Sequence, residues 1–229
     1  MKKFLKGLFI AVFAFVCLTA FIGLRSEAGE TDKNVSSFTV VIDAGHGGID
    51  GGVIGKITKV KESELNLAVT FELQKCFENA GIKTVLTRSS SGGLYGLPTT
   101  GFKKRDMQKR KEIITGSNAD VVISIHMNYY SSSLRRGAQV FFKQGSEQSR
   151  LLASCMQENL NNMKEASRNC EILKGDYYVL NVAEASAVLV ECGFLSNPED
   201  EALLTNKEYQ AEIAYTIFRG VIEYFIKVT

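Results

Sequence analysis

Three short apolar runs, each closed by a polar group, constrain this chain more than any other feature. Phe38-Thr39-Val40-Val41-Ile42-Asp43-Ala44-Gly45 leads into His46, Val121-Val122-Ile123-Ser124-Ile125 into His126, and Ala187-Val188-Leu189-Val190 into Glu191. Runs of this length, bounded by turn residues and without polar alternation, read as strands buried on both faces. Helical periodicity fills the gaps. Leu65, Ala68, Val69, Leu73, Cys76 and Phe77 share one face over 64–79, with Gly81 as the stop, and Ile213, Ile217, Val221 and Phe225 recur every fourth residue over 207–227. Weaker signals predict strands at 82–87, 138–143 and 177–181, helices at 104–117 and 147–163, and a Ser/Gly-rich loop at 89–103. Strands alternating with helices predict one α/β domain: a mostly parallel twisted sheet with helices on both faces.

In open α/β sheets, ligands sit beyond the carboxyl ends of the strands. The chain has only two histidines, and both lie at such ends. Positions 46, 126 and 191 are far apart, so only tertiary folding can gather them. The loop around His46 holds Gly45, Gly47, Gly48, Gly51, Gly52 and Gly55. Bare neighbours let a ligand approach the imidazole, and the spacing matches neither dinucleotide- nor P-loop phosphate motifs. Imidazole and carboxylate donors suit zinc, whose catalytic sites use three protein ligands and keep one position open. Two histidines leave one ligand to find, and Glu62 and Glu64 are the candidates. Spacing does not choose between them, and either acid also suits a helix N-terminus. Glu191 ends an apolar strand, a poor place for a carboxylate unless it is paired or functional. Its two readings are a proton-transfer group beside metal-activated water and a salt bridge to a lysine or arginine.

The N-terminus has another character. Lys2, Lys3 and Lys6 precede an unbroken apolar stretch, residues 8–24, and Ser26-Glu27-Ala28 offers small residues for cleavage after Ala28. Residues 1–28 read as a signal peptide or an N-terminal membrane anchor, two readings the stretch's length leaves open. Residues 29–37 read as a polar linker and 38–229 as the catalytic domain. The rest of the chain is then expected outside the cytoplasm, with membrane contact only through the N-terminal segment. A net charge of +2 gives no reason to expect nucleic acid as partner. Cys76, Cys155, Cys170 and Cys192 lack Cys-x-x-Cys spacing and read as free thiols.

Four blocks together carry a family resemblance: Val-Ile-Asp-Ala-Gly-His-Gly-Gly (41–48), Lys-Glu-Ser-Glu-Leu-Asn-Leu (61–67), Ser-Ile-His-Met-Asn (124–128) and Leu-Val-Glu-Cys-Gly-Phe-Leu-Ser-Asn (189–197). In order and spacing they resemble the zinc-dependent N-acetylmuramoyl-L-alanine amidases of the Amidase_3 type. The resemblance implies Zn2+ bound by His46, Glu62 and His126, with Glu191 as the catalytic glutamate. It also implies substrate or supporting roles for Asn128 and for Arg88, in Leu-Thr-Arg. The short catalytic region behind one apolar segment is most similar to the family's sporulation amidases. For those, the resemblance implies removal of the stem peptide from muramic acid in spore cortex, ahead of muramic-δ-lactam formation and germination. The implied partners are peptidoglycan, an activating accessory protein and a functionally coupled polysaccharide deacetylase. The implied location is the spore intermembrane space or the cell wall. The rival functions are a catalytically silent wall-binding domain, which would be expected to lose a ligand or Glu191, and a zinc peptidase acting within the stem peptide.

Overall fold

In the computed structural model, residues 37–166 and 169–229 are described. The expected signal or anchor, residues 1–28, and the linker up to residue 36 lie outside them. Six strands form one sheet: β1 (Thr39–Ala44), β2 (Lys83–Leu86), β3 (Val121–Asn128), β4 (Gln139–Lys143), β5 (Leu173–Gly175) and β6 (Ser186–Phe194). Their order is β2-β1-β3-β6-β4-β5, with only the β6/β4 pairing antiparallel. The three central strands are the three apolar runs of the sequence. Val40, Val41, Ile42, Val121, Val122, Ile123, Val188 and Val190 have no exposed surface, as strands covered on both faces require.

The cover comes from helices α1 (Glu62–Asn79), α2 (Phe102–Gly116), α3 (Glu147–Asn161), α4 (Tyr178–Val182), α5 (Pro198–Leu204) and α6 (Lys207–Val228). Alternate strand residues point to opposite faces. One set, with Val41, Val122, Ala187 and Leu189, packs on Ile114 of α2 and on Val179 and Leu180 of α4. Helices α1 and α3 both pack on α6, and the three cover the other face. Residues 38–229 form one compact unit. No helix among the described residues is long and apolar enough to cross a membrane. Cys76, Cys155, Cys170 and Cys192 are free thiols, as their surroundings predict.

The sequence misplaces one element. Residues 177–181 read as a strand, but the strand is Leu173–Gly175 and Tyr178–Val182 is a short helix. The unbroken run Tyr177-Tyr178-Val179-Leu180 mimicked a strand. In the fold, the amides of Leu180 and Asn181 bond to the Tyr177 carbonyl, and burial of Val179, Leu180 and Ala183 follows helical spacing. Helix α5 was missed altogether. Its signal is Asn197-Pro198: the Asn197 side chain accepts hydrogen bonds from the amides of Glu199 and Asp200, and Pro198 opens the first turn.

Candidate active site

The site lies at the carboxyl ends of β1, β3 and β6. His46 sits two residues beyond β1. His126 and Glu191 are register partners on the adjacent parallel strands β3 and β6. A register irregularity follows immediately, between His126 and Asn128. Such bulges re-aim side chains, and they recur beside active sites.

Glu62 reaches the histidines from the first turn of α1. Its Oε1 lies 3.3 Å from His46 Nε2 and 2.9 Å from His126 Nδ1. One donor atom from each of the three residues falls within 4.8 Å of the others, a cluster that could hold a metal ion. The two imidazoles meet edge-on, 5.1 Å between centroids. Glu64 is exposed on the other side of α1, because the helix buries residues 62, 65, 66, 69 and 73. Glu62 is buried and tied down. Its Oε2 accepts from the Val53 amide at 2.9 Å and its Oε1 from the Met127 amide at 3.2 Å. Burial would raise its pKa, but the two imidazoles outweigh that and hold the carboxylate far below its usual range.

Two glycines make room for the cluster. A Cβ on Gly45 would run into the His126 ring, and one on Gly52, whose φ is +68°, into the Glu62 carboxylate. His46 itself has φ +61°, the left-handed region that side chains rarely adopt. Arginine clamps hold it there. Arg110 donates to the His46 carbonyl at 2.5 Å and to the Ala44 carbonyl at 2.7 Å. Arg88 donates to the carbonyls of Ala44, Gly45, Ser63 and Ser90. Arg88, expected from the resemblance as a substrate-binding residue, makes these backbone contacts. The residue is buried and its guanidinium faces backbone carbonyls of the β1 turn and the start of α1. Burial also pulls its pKa down, to about 10.

Two supporting groups escaped the sequence reading. Asp43 lies buried in β1, where Arg110 Nη1 meets its Oδ1 at 2.5 Å, Thr87 donates at 2.7 Å and Ser124 at 2.6 Å. A charged residue inside Val-Val-Ile-Asp was the signal that a partner must exist; nothing local identified Arg110. Asp50 is the sole carboxylate within the glycine loop, and its Oδ2 lies 3.1 Å from His46 Nδ1. A carboxylate on that nitrogen leaves Nε2 facing the cluster.

Glu191 stands beside the cluster with its Oε2 buried and without a hydrogen-bond partner. No lysine or arginine pairs with it among the described residues, so the salt-bridge reading finds no support. Burial, followed by the opposing effects of His126 and Glu62, raises its pKa to about 7. Asn128 ends β3 at the cavity wall, its Oδ1 accepting from the Tyr129 amide at 2.8 Å. The cavity above these groups measures about 490 Å3 and is lined by Glu191, both histidines and several aromatic rings.

The family pattern described as N-acetylmuramoyl-L-alanine amidase, Amidase_3, matches residues 40–223. The chain belongs to this family. The amidase is 33% identical over 195 residues to the germination-specific N-acetylmuramoyl-L-alanine amidase of Bacillus subtilis, covering 83% of this chain and 81% of that protein. Among solved structures it resembles the CwlD amidase of Clostridioides difficile in complex with the GerS lipoprotein. That likeness has a TM-score of 0.80 at 38% identity and covers 84% of this chain and 100% of the other. The catalytic domain of CwlV, an N-acetylmuramoyl-L-alanine amidase of Bacillus (Paenibacillus) polymyxa, aligns with a TM-score of 0.71 at 29% identity over 84% of this chain and 99% of that one. These relatives share the α/β fold with its mostly parallel sheet, and they are peptidoglycan amidases.

Proposed function

We propose that this amidase hydrolyses the amide between N-acetylmuramic acid and L-alanine of peptidoglycan stem peptides, using zinc. The observation that carries the reading is the meeting of His46, Glu62 and His126 beside the partner-free carboxylate of Glu191. The donor set fits zinc, which takes imidazole nitrogen and carboxylate oxygen in catalytic sites. His46, Glu62 and His126 would hold the ion. When bound, zinc supplies Lewis acidity toward a carbonyl oxygen and toward water. The chain's own groups do the rest. Asp50 orients the His46 ring through Nδ1, and the Val53 and Met127 amides fix Glu62. Glu191 takes the proton of the attacking water and delivers it to the L-alanine nitrogen as the C–N bond breaks. A pKa near neutrality suits a group that must both accept and give a proton. Asn128, on the cavity wall, contacts substrate.

The finer assignment follows the relatives. Likeness to a germination-specific amidase supports a role in germination. Action on spore cortex before muramic-δ-lactam forms, coupled to a polysaccharide deacetylase, is the role we infer from the family's sporulation amidases. Likeness to an amidase solved with a lipoprotein supports an activating accessory partner. Export, with residues 8–24 as signal or anchor, places the domain with its substrate.

Purified peptidoglycan digested with and without zinc, then analysed by mass spectrometry, tests the reaction. Free stem peptides beginning with L-alanine are expected in the zinc digest alone. Cuts inside the stem would make the protein a peptidase, and an intact polymer would make it a binding domain.

Metal analysis tests the ligands. His46→Ala, Glu62→Ala and His126→Ala are each expected to lose stoichiometric zinc, since each removes one of three protein ligands. Glu64→Ala is expected to keep it. Full occupancy in a folded Glu62→Ala protein would reject the ligand set.

A further inference from the structure

The buried face of α1 carries a polar residue at every fourth position, Glu62, Asn66 and Thr70, between the apolar Leu65, Val69 and Leu73. Glu62 belongs to the metal cluster. Asn66 and Thr70 have no exposed surface. Asn66 is bonded through one end of its amide. Its Nδ2 donates to the Gly45 carbonyl at 3.1 Å and to Glu62 Oε1 at 3.3 Å. Both are acceptors, so the amide nitrogen and not its oxygen faces them. The Asn66 Oδ1 is buried without a hydrogen-bond partner among the described residues, as is Thr70 Oγ1 one turn on. An orphaned buried oxygen lowers stability. Leu65, Val69 and Leu73 show that this face takes apolar side chains, so asparagine is a poor choice here for packing alone.

The bonded end of Asn66 joins two segments that each bring a ligand. Gly45 immediately precedes His46, and Glu62 Oε1 is the oxygen that faces both imidazoles, 3.3 Å from His46 Nε2 and 2.9 Å from His126 Nδ1. The Val53 and Met127 amides reach the Glu62 carboxylate from outside the helix. Asn66 reaches it from one turn along α1 and links that turn to the end of β1. Neither acceptor relies on Asn66 for a partner. The Gly45 carbonyl also receives Arg88 Nη2 at 2.9 Å, and Glu62 keeps both backbone amides. Removing the amide therefore orphans nothing in the fold. What it removes is the donor that ties Glu62 Oε1 to the turn before His46.

We infer that Asn66 is a positioning residue of the zinc site, retained to hold Glu62 Oε1 toward the two histidines at the expense of stability. This rests on the zinc reading above. In the test, the full chain is stripped of metal, titrated with zinc against a chromophoric chelator, and melted without metal. Groups that orient metal ligands are typically worth 10- to 100-fold in affinity, so Asn66→Leu should bind zinc about ten- to a hundredfold more weakly. Its metal-free melting temperature should stay at or above that of wild type, because the orphaned oxygen leaves with the amide. Asn66→Ala should lose zinc affinity by the same factor, and it decides the matter if the bulkier leucine does not fold. Thr70→Ala truncates an equally buried side chain on the same face and should bind zinc as wild type does. Wild-type affinity in the folded Asn66 variants overturns the inference, whatever their melting temperatures. An equal loss of affinity in Thr70→Ala also overturns it, since packing of α1 would then be the cause. A wild-type chain that takes up no zinc refutes the metal reading itself, and the inference with it.

Discussion

Glu191→Gln is expected to fold, to bind zinc, and to lose turnover by about 10²- to 10⁴-fold, the usual worth of a positioned general acid–base group. The amide is nearly isosteric with the carboxyl group but cannot take a proton from water. Glu191 is not a ligand in the three-residue cluster, so metal content should hold. Its Oε2 has no hydrogen-bond partner to lose, so the fold should hold as well. The fall should appear in kcat, with substrate affinity little changed. Melting temperature, zinc content and amide hydrolysis measured on one preparation separate this from a stability effect. Near-normal turnover in a folded, zinc-loaded variant would refute the proton-transfer role.

Arg110→Met should be the most destabilising single change near the site. Arg110 and Asp43 are 2% and 1% exposed, and their oxygen–nitrogen distance is 2.5 Å. Removing one partner leaves a carboxylate buried without its counter-charge, a loss of about 3–5 kcal/mol. For a domain of this size that lowers the melting temperature by about 10 °C or more. It also frees the His46 carbonyl from the 2.5 Å hydrogen bond that helps hold the residue in its left-handed conformation, so zinc affinity should fall with stability. The same pair predicts an acid limit. Burial would raise the Asp43 pKa, but Arg110, helped by Ser124 and Thr87, holds it at about 2 instead of the ordinary 3.8. A folded-state pKa below the unfolded one adds stability, on the order of 2 kcal/mol here, that is fully present above about pH 4. It is lost as pH falls through 2. Thermal melts between pH 5 and pH 2 should show this loss in wild type, and Asp43→Asn should be destabilised already at pH 7. A melting temperature for Arg110→Met within a degree or two of wild type would show that the pair does not hold the turn.

Sequence alone determined the central architecture. Buried parallel strands cannot alternate polar and apolar residues, so β1, β3 and β6 announced themselves as continuous apolar runs, and the long amphipathic helices by their period. It also marked the site, because two histidines and a glutamate closing three such runs must share one edge of a parallel sheet. Short elements were less legible. Helix α4 has only five residues, too few to show a period, and its helical form is set by packing of Val179 and Leu180 on the core. Tertiary structure decided the rest. Glu62 was separated from Glu64 by which face of α1 meets the sheet. Arg88 became a backbone clamp, and Asp43 found Arg110, because long-range contacts assign partners to buried charges. A strand or a helix follows from local chain preferences and a pattern of burial. A ligand set or a buried ion pair depends on angstrom-scale distances between residues far apart in the chain, and those exist only once the strands have paired and the helices have packed on the sheet.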